Sequence, residues 1–244
     1  MKETGRHLVT RIDAGKTEEI RESLATEHEI PIALAGQTLV HATCSPSFLK
    51  ELVYGYLVSE GFIQSDRDVC SFTVRGNVAE IKLNDKFPPP QQAILPRPIE
   101  SPFTLSSDVL LAAAEECLSR GIIFRETGGT HAAALGDRSG LISFFEDISR
   151  TCALEKVLGD ALLRTVALDE TFVFLSSRVP KQMLQKIARC GIPIVGAVSA
   201  PTFDAVEAAE ELGICVCGFV RGKRLNVYSH RWRVEIQNKS SFEL

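Results

Sequence analysis

From Ile30 onward the apolar positions of this chain fall into short runs that switch between a two-residue and a three-to-four-residue period. Residues 1–26 are polar and carry little pattern, which predicts a mobile or edge segment outside the core. Ile30-Pro31-Ile32-Ala33-Leu34 and Thr38-Leu39-Val40-His41-Ala42-Thr43 flank Ala35-Gly36-Gln37, the signature of a hairpin. Ser45-Pro46 reads as an N-cap with proline at the first helical position, so a helix is expected over 46–59. Phe48, Leu49, Leu52, Val53, Tyr56 and Leu57 form its apolar face and Gly61 its stop. A second hairpin is expected at 69–83, turning at Gly76-Asn77.

Residues 87–102 interrupt the pattern with Pro88, Pro89, Pro90, Pro96, Pro98 and Pro102, which reads as an extended linker between two units. Beyond it, a helix capped by Ser107 and stopped by Gly121 buries Leu110, Leu111, Ala114, Cys117 and Leu118. Strands at 132–135 and 141–145 follow, then a helix over 149–165 burying Leu154, Val157, Leu158, Ala161 and Leu162. The remainder alternates: strands at 171–175, 192–198, 214–220 and 225–228, with helices at 180–189 and 203–212. Strands alternating with helices of this length imply crossover connections and a mostly parallel sheet. The division expected is a polar segment 1–26, a small β-rich unit 27–86, the linker 87–102, an α/β unit 103–230 and a tail 231–244.

The net charge of −4 argues against a protein that coats nucleic acid or a membrane, so any anion-binding surface must be local. No run approaches the roughly 18 apolar residues of a membrane span. The polar stretch 1–11 lacks the apolar core of a secretory leader, and seven cysteines then read as reduced thiols in the cytoplasm. There is no Cys-x-x-Cys, so structural zinc is not expected, and neither a Walker loop nor a Gly-x-Ser-x-Gly elbow occurs.

Ligands of open α/β sheets bind beyond the carboxyl ends of the strands. That rule selects Ser176-Ser177-Arg178 and Ser199-Ala200-Pro201-Thr202, each between a strand and a helix start where free N–H groups favour phosphate. The hydroxyls serve equally well as simple N-caps. In Thr127-Gly128-Gly129-Thr130-His131 the paired glycines admit close approach of a ligand, and His131 is either a phosphate donor or a core histidine closing the loop. From Arg221 to Arg233 there are five Lys/Arg and no acidic residue, a local charge that suits a phosphate-bearing partner. Among the thiols, Cys152 lies near a helix start beside Arg150 and has the best case for a lowered pKa; Cys44 is a weaker candidate.

Taken in order, these segments resemble the formate dehydrogenase accessory sulfurtransferase family, FdhD, over about residues 25–230. The resemblance is carried by Glu29-Ile30-Pro31-Ile32, Ser45-Pro46, Gly55-Tyr56-Leu57-Val58-Ser59-Glu60-Gly61-Phe62-Ile63, Thr127-Gly128-Gly129-Thr130-His131-Ala132-Ala133-Ala134-Leu135, Glu146-Asp147-Ile148-Ser149-Arg150, Ser177-Arg178, Ser199-Ala200-Pro201-Thr202, and Gly218-Phe219-Val220-Arg221-Gly222 through Tyr228. It implies an α/β fold with a cytidine deaminase-like mixed or parallel sheet flanked by helices, preceded by a small β-rich α+β part, and a homodimer. It also implies binding of the bis-molybdopterin guanine dinucleotide form of molybdenum cofactor, and transfer of sulfur to it from a cysteine desulfurase through a cysteine persulfide, to activate formate dehydrogenase or a related molybdoenzyme. The resemblance associates the stretch Phe219, Val220, Arg221, Gly222, Lys223 and Arg224 with this cofactor, and the loops read above add Gly128, Gly129, His131 and Arg178 as ligand-binding candidates. The family's persulfide cysteine sits in a Cys-Gly-x-Cys-Gly loop before the Thr-Gly-Gly motif. Here that interval carries only Cys117, on the apolar side of a predicted helix, so no residue inherits the role by position; a carrier would have to use an unusual thiol, for which Cys152, with its electrostatic case, is the candidate. The alternative is a non-catalytic protein that holds the cofactor or a guanine nucleotide after losing the persulfide loop.

Overall fold

The computed structural model describes residues 2–84 and 95–236. Pro88, Pro89 and Pro90 of the expected linker, and most of the expected tail, lie outside the described residues. Residues 1–26, expected to be a mobile or edge segment outside the core, form strands outside the core. β1 (Thr4–Asp13) and β2 (Lys16–Ala25) form a ten-pair antiparallel ribbon turned by Ala14 and Gly15, both at positive φ. None of its strand residues is buried. A ribbon with no core face has no hydrophobic alternation to read, which is why its sequence looks featureless.

The next unit is a four-stranded sheet with one helix. β3 (His28–Leu34) and β4 (Gln37–Cys44) form the first expected hairpin, followed by α1 (Leu49–Glu60), then β5 (Val69–Arg75) and β6 (Val78–Leu83) as the second hairpin. The strands lie in the order β4-β3-β6-β5. Their alternate apolar residues, Ile30, Ile32, Ala79 and Ile81, pack with Leu52, Val53 and Leu57 of α1. The helix begins later than expected. Its N-cap is Phe48, in the left-handed region, with no side-chain capping bond. Ser45 has another task. It is buried, its N–H donates to Asp147 Oδ2 (3.1 Å), its hydroxyl accepts from the N–H of Ile148 (3.2 Å), and its carbonyl accepts from Lys156 Nζ (3.3 Å).

The second unit opens with β7 (Leu105–Ser106) and α2 (Ser107–Arg120), whose N-cap is Ser106, one residue before the expected one. α3 (Ile122–Thr127) is a short helix that the pattern did not announce. β8 (His131–Asp137), β9 (Gly140–Asp147), α4 (Arg150–Leu163), β10 (Phe172–Leu175), α5 (Lys181–Arg189), β11 (Ile194–Ala197), α6 (Phe203–Leu212), β12 (Cys215–Arg221), β13 (Arg224–Val227) and β14 (Val234–Glu235) complete the chain. The main sheet has six strands in the order β13-β12-β11-β10-β8-β9. Only β10–β11 and β11–β12 are parallel; the other three pairings are antiparallel. The mostly parallel sheet expected from the alternation is therefore a mixed one, because the β8–β9 hairpin and the return strand β13 enclose the parallel centre.

Side chains alternate across this sheet. Leu135, Val173, Leu175, Val195 and Val216 face α4, α5 and α6, while Ala134, Phe172, Phe174, Ile194 and Cys215 face α2. The two units are joined where α1 crosses α4. A Cβ on Gly55 would lie 1.7 Å from the carbonyl oxygen of Glu155, and one on Gly159 would lie 1.8 Å from that of Glu51. Two glycines facing two backbones let the helices touch main chain to main chain. Beside the crossing, Lys186 Nζ of α5 binds Glu60 Oε1 of α1 (2.5 Å) and Glu155 Oε1 of α4 (2.8 Å), with Ser59 Oγ at 3.3 Å. All three ammonium protons are thereby used. Gly55→Ala is expected to destabilise the protein by more than about 3 kcal/mol, since neither backbone can yield without separating the helices; thermal or urea unfolding measures it, and a change within error would show that the helices slide freely.

Candidate functional site

The strand register places most of the sequence-marked segments on one edge of the main sheet. The parallel strands β10 and β11 end there at Leu175 and Ala197. β8 runs the other way, with Ala133 opposite Leu175, so its amino end at His131 lies on the same edge, and His131 in turn faces Asp147 at the end of β9. β12 continues past Cys217 to Phe219, whose N–H donates to the carbonyl of Ser199 (3.3 Å). The edge thus collects Gly128, Gly129, His131, Asp147 and Ser149, then 176–179, 199–202 and 218–221.

Local chemistry explains the shape of this rim. The loops after β10 and β11 are stitched together by a Val179–Pro201 bridge, with the Thr202 N–H donating to the Val179 carbonyl at 3.0 Å. Ser176 Oγ accepts the N–H of Ala132 (2.8 Å), and Thr202 caps α6 by accepting from Ala205. For these two hydroxyls the simple structural reading holds. A Cβ on Gly218 would lie 2.8 Å from the Tyr228 ring and 3.1 Å from Pro201, so only glycine lets the 199–202 loop close over β12. The next residue, Phe219, stands at φ +52 with a register shift beside it, and the Arg221 guanidinium lies 5.8 Å from its ring centroid. Gly128 stops α3 at φ +66, its N–H donating to the Phe124 carbonyl (2.7 Å). Gly129 is exposed and approaches Ala25 at the root of the ribbon.

Arg178, Arg221, Lys223 and Arg224 are exposed at this edge or at its β12–β13 turn, and none forms an ion pair among the described residues. Gly222 sits in that turn at φ +59. Val220 is different: its side chain is fully buried in the core facing α2, so only its backbone borders the rim. The run of five basic residues does not converge either. Arg233 is buried on the far edge, donating to the carbonyls of Gly213, Ser101, Phe103 and Ile99 at 2.6–3.3 Å, while Arg231 binds the carbonyl of Val234. Spacing in a sequence could not separate three cations of a turn from two that tie down the chain end.

His131 is half-buried. Burial first, and the positive charge of Arg150 second, push its imidazole below the usual range, so it is neutral near pH 7. Behind it, Asp147 and Lys156 form a fully buried ion pair at 2.6 Å. Burial drives the Asp147 carboxyl up, and Lys156 with the N–H groups of Ser149 and Ser45 pulls it back.

The thiols contradict the expectation for Cys152. It is buried, its Sγ lies 3.5 Å from the carbonyl of Thr43, and burial with nearby Glu155 and Asp147 pushes its thiol well up, not down. It lines a cavity of about 730 Å³ between the ribbon, β4, α1 and α4, with Tyr56, Gly129 and Lys186 among the other walls. Burial also raises Cys44, Cys117 and Cys190 to about 12. Cys215 and Cys217 share a face, as their spacing predicts, with sulfurs 3.9 Å apart in the core. Only Cys70, on β5, is exposed. A helix start beside an arginine carries no sign of β4, whose Thr43 lies against the Cys152 sulfur.

The FdhD/NarQ family model matches residues 25–95 and 85–235. The chain belongs to this family. The Sulfur carrier protein FdhD of Methanothermobacter thermautotrophicus is 32% identical over 248 residues, spanning 93% of this chain and 99% of that one. The protein of the same name from Bacillus subtilis is 29% identical over 250 residues, spanning 93% and 95%. A crystal structure assigned as a formate dehydrogenase accessory protein from Desulfotalea psychrophila superposes with a TM-score of 0.85 over 96% of this chain and all of that one; at 24% identity it shows a shared fold. No described helix is long and apolar enough to cross a membrane.

Iodoacetamide at pH 8 is expected to label Cys70 in the native protein and to leave Cys44, Cys117, Cys152, Cys215 and Cys217 unmodified until denaturant is added. Peptide mapping reads this directly; rapid native labelling of Cys152 would show that the cavity admits reagents to it.

Proposed function

We propose that this chain acts in the maturation of formate dehydrogenase, in line with relatives named sulfur carrier proteins and a solved neighbour described as a formate dehydrogenase accessory protein, by holding bis-molybdopterin guanine dinucleotide molybdenum cofactor along the sheet edge. The observation that carries the reading is the set of unpaired cations there. Arg221 and Arg224 stand directly opposite each other across the β12–β13 turn. Like charges so placed repel, and an anion between them removes the repulsion. Arg178 adds a third exposed cation, and the open glycines Gly128 and Gly129 leave backbone accessible. These residues fit a ligand rich in pyrophosphate. The cofactor would bring the metal centre that receives sulfur; the chain's part is to bind, orient and neutralise it. In this reading the cation turn and Phe219 engage a guanine diphosphate half, neutral His131 offers one hydrogen bond without adding charge, and the molecule works as a homodimer with a cysteine desulfurase and a formate dehydrogenase as partners.

Sulfur transfer needs an accessible thiolate. Cys117, the single cysteine in the interval where the family carries its loop, is fully buried. That favours a second reading, in which the chain holds the cofactor without carrying sulfur. Intact-mass analysis after incubation with a cysteine desulfurase and cysteine separates the two. A reductant-sensitive gain of one sulfur on one cysteine supports the carrier; no gain, with a loop-containing family member labelled in parallel, leaves a cofactor-holding protein. For the site itself, Arg221→Ala is expected to weaken GDP binding about tenfold in calorimetry; unchanged affinity would remove the turn from the site.

A further inference from the structure

Five of the described lysines and arginines are mostly withdrawn from solvent: Arg150, Lys156, Lys186, Arg189 and Arg233. Lys156 is held by Asp147, Lys186 by Glu60 and Glu155, Arg189 by Glu60 and the Ser59 carbonyl, and Arg233 by four carbonyls. Arg150 alone of the five forms no ion pair or hydrogen bond among the described residues. The carboxylates nearest to it in the chain are committed elsewhere. Glu146 accepts from the N–H groups of Ile123 and Phe124 and from Thr130 Oγ1, and Asp147 binds Lys156, Ser45 and Ser149. A half-buried guanidinium gives up hydration, and without a counter-charge that loss is not recovered inside the chain.

Arg150 is the first residue of α4, directly after the Asp147 end of β9, and its charge reaches His131 on the neighbouring strand end. It therefore stands at the opposite end of the rim from Phe219 and Arg221. Three strand spacings separate β8 from β12, about 14 Å. A single pyrophosphate cannot reach both ends.

Resting on the cofactor reading above, we infer that Arg150, with His131 beside it, is a second anion station, which holds a phosphate group of the ligand distinct from the one bound at the β12–β13 turn. The rim then measures its ligand. A mononucleotide fills one end, and a ligand with two separated anionic groups fills both. This gives the chain a physical means of preferring a dinucleotide-type cofactor over the abundant free nucleotides.

Inorganic pyrophosphate and GDP test it on the full chain by calorimetry. Pyrophosphate is expected to bind protein already saturated with GDP, and Arg150→Met is expected to weaken that second event about tenfold or more while leaving GDP affinity unchanged. Arg150→Lys should recover part of it. Because the Arg150 side chain bonds to nothing among the described residues, the variant is expected to keep its melting temperature, which excludes loss through unfolding. Failure of pyrophosphate to bind the GDP-saturated protein, or equal binding to Arg150→Met, overturns the second station. If GDP itself does not bind, the reading of the β12–β13 turn fails, and pyrophosphate binding to the wild type and to Arg150→Met still decides the role of Arg150.

Discussion

The structure turns on one buried ion pair. Asp147 closes β9, Lys156 lies two turns into α4, and neither exposes any side-chain surface. Their remaining valences are met by Ser45, which belongs to the other unit, and by Ser149, which caps α4. Breaking such a pair from one side leaves an uncompensated buried charge, a loss of about 3–5 kcal/mol. Its larger consequence is geometric. The pair fixes where β4 ends, where α4 begins and how far the small sheet sits from the large one. The glycine-lined crossing of α1 and α4 and the Lys186 cluster reinforce the same contact from the helices' other side. The first turn of α4, which borders the rim, is therefore held by both units together.

Much of the fold was legible because burial leaves a period in the chain. Both small hairpins, α2, α4, α5, α6 and the strands between them came from alternation and stops, with bounds off by a few residues. What could not be read was structure that buries nothing or borrows its partner from far away. The ribbon has no core face. α3 buries none of its residues and is held through Glu146, which binds its first N–H groups from β9. Ser45-Pro46 has the local grammar of a helix start, yet Ser45 spends all its polar groups on residues about a hundred positions away.

The site divided along the same line. Strand ends and Gly-rich loops were found because topology alone predicts where they meet. Electrostatic character was not, since it depends on which charges are already spent. Arg233 and Arg221 look equivalent in a basic run, but one is consumed by four carbonyls and the other faces a like charge. Cys152 beside Arg150 looks like an activated thiol, but the arginine points its influence toward His131 while Glu155 and Asp147 act on the sulfur. Occupied partners, group by group, distinguish supporting cations such as Arg233 from available ones such as Arg221.

The ribbon of β1 and β2 has a consequence of a different kind. None of its strand residues is buried, and Leu8, Ile12 and Leu24 are exposed apolar side chains. Elements with so little burial open at low free energy, independently of the core. The root of this ribbon touches Gly129, next to the rim. The doubly anchored start of α4 thus lies near an element with almost no burial, so that local opening of the ribbon changes what covers the ligand edge without disturbing the frame that shapes it.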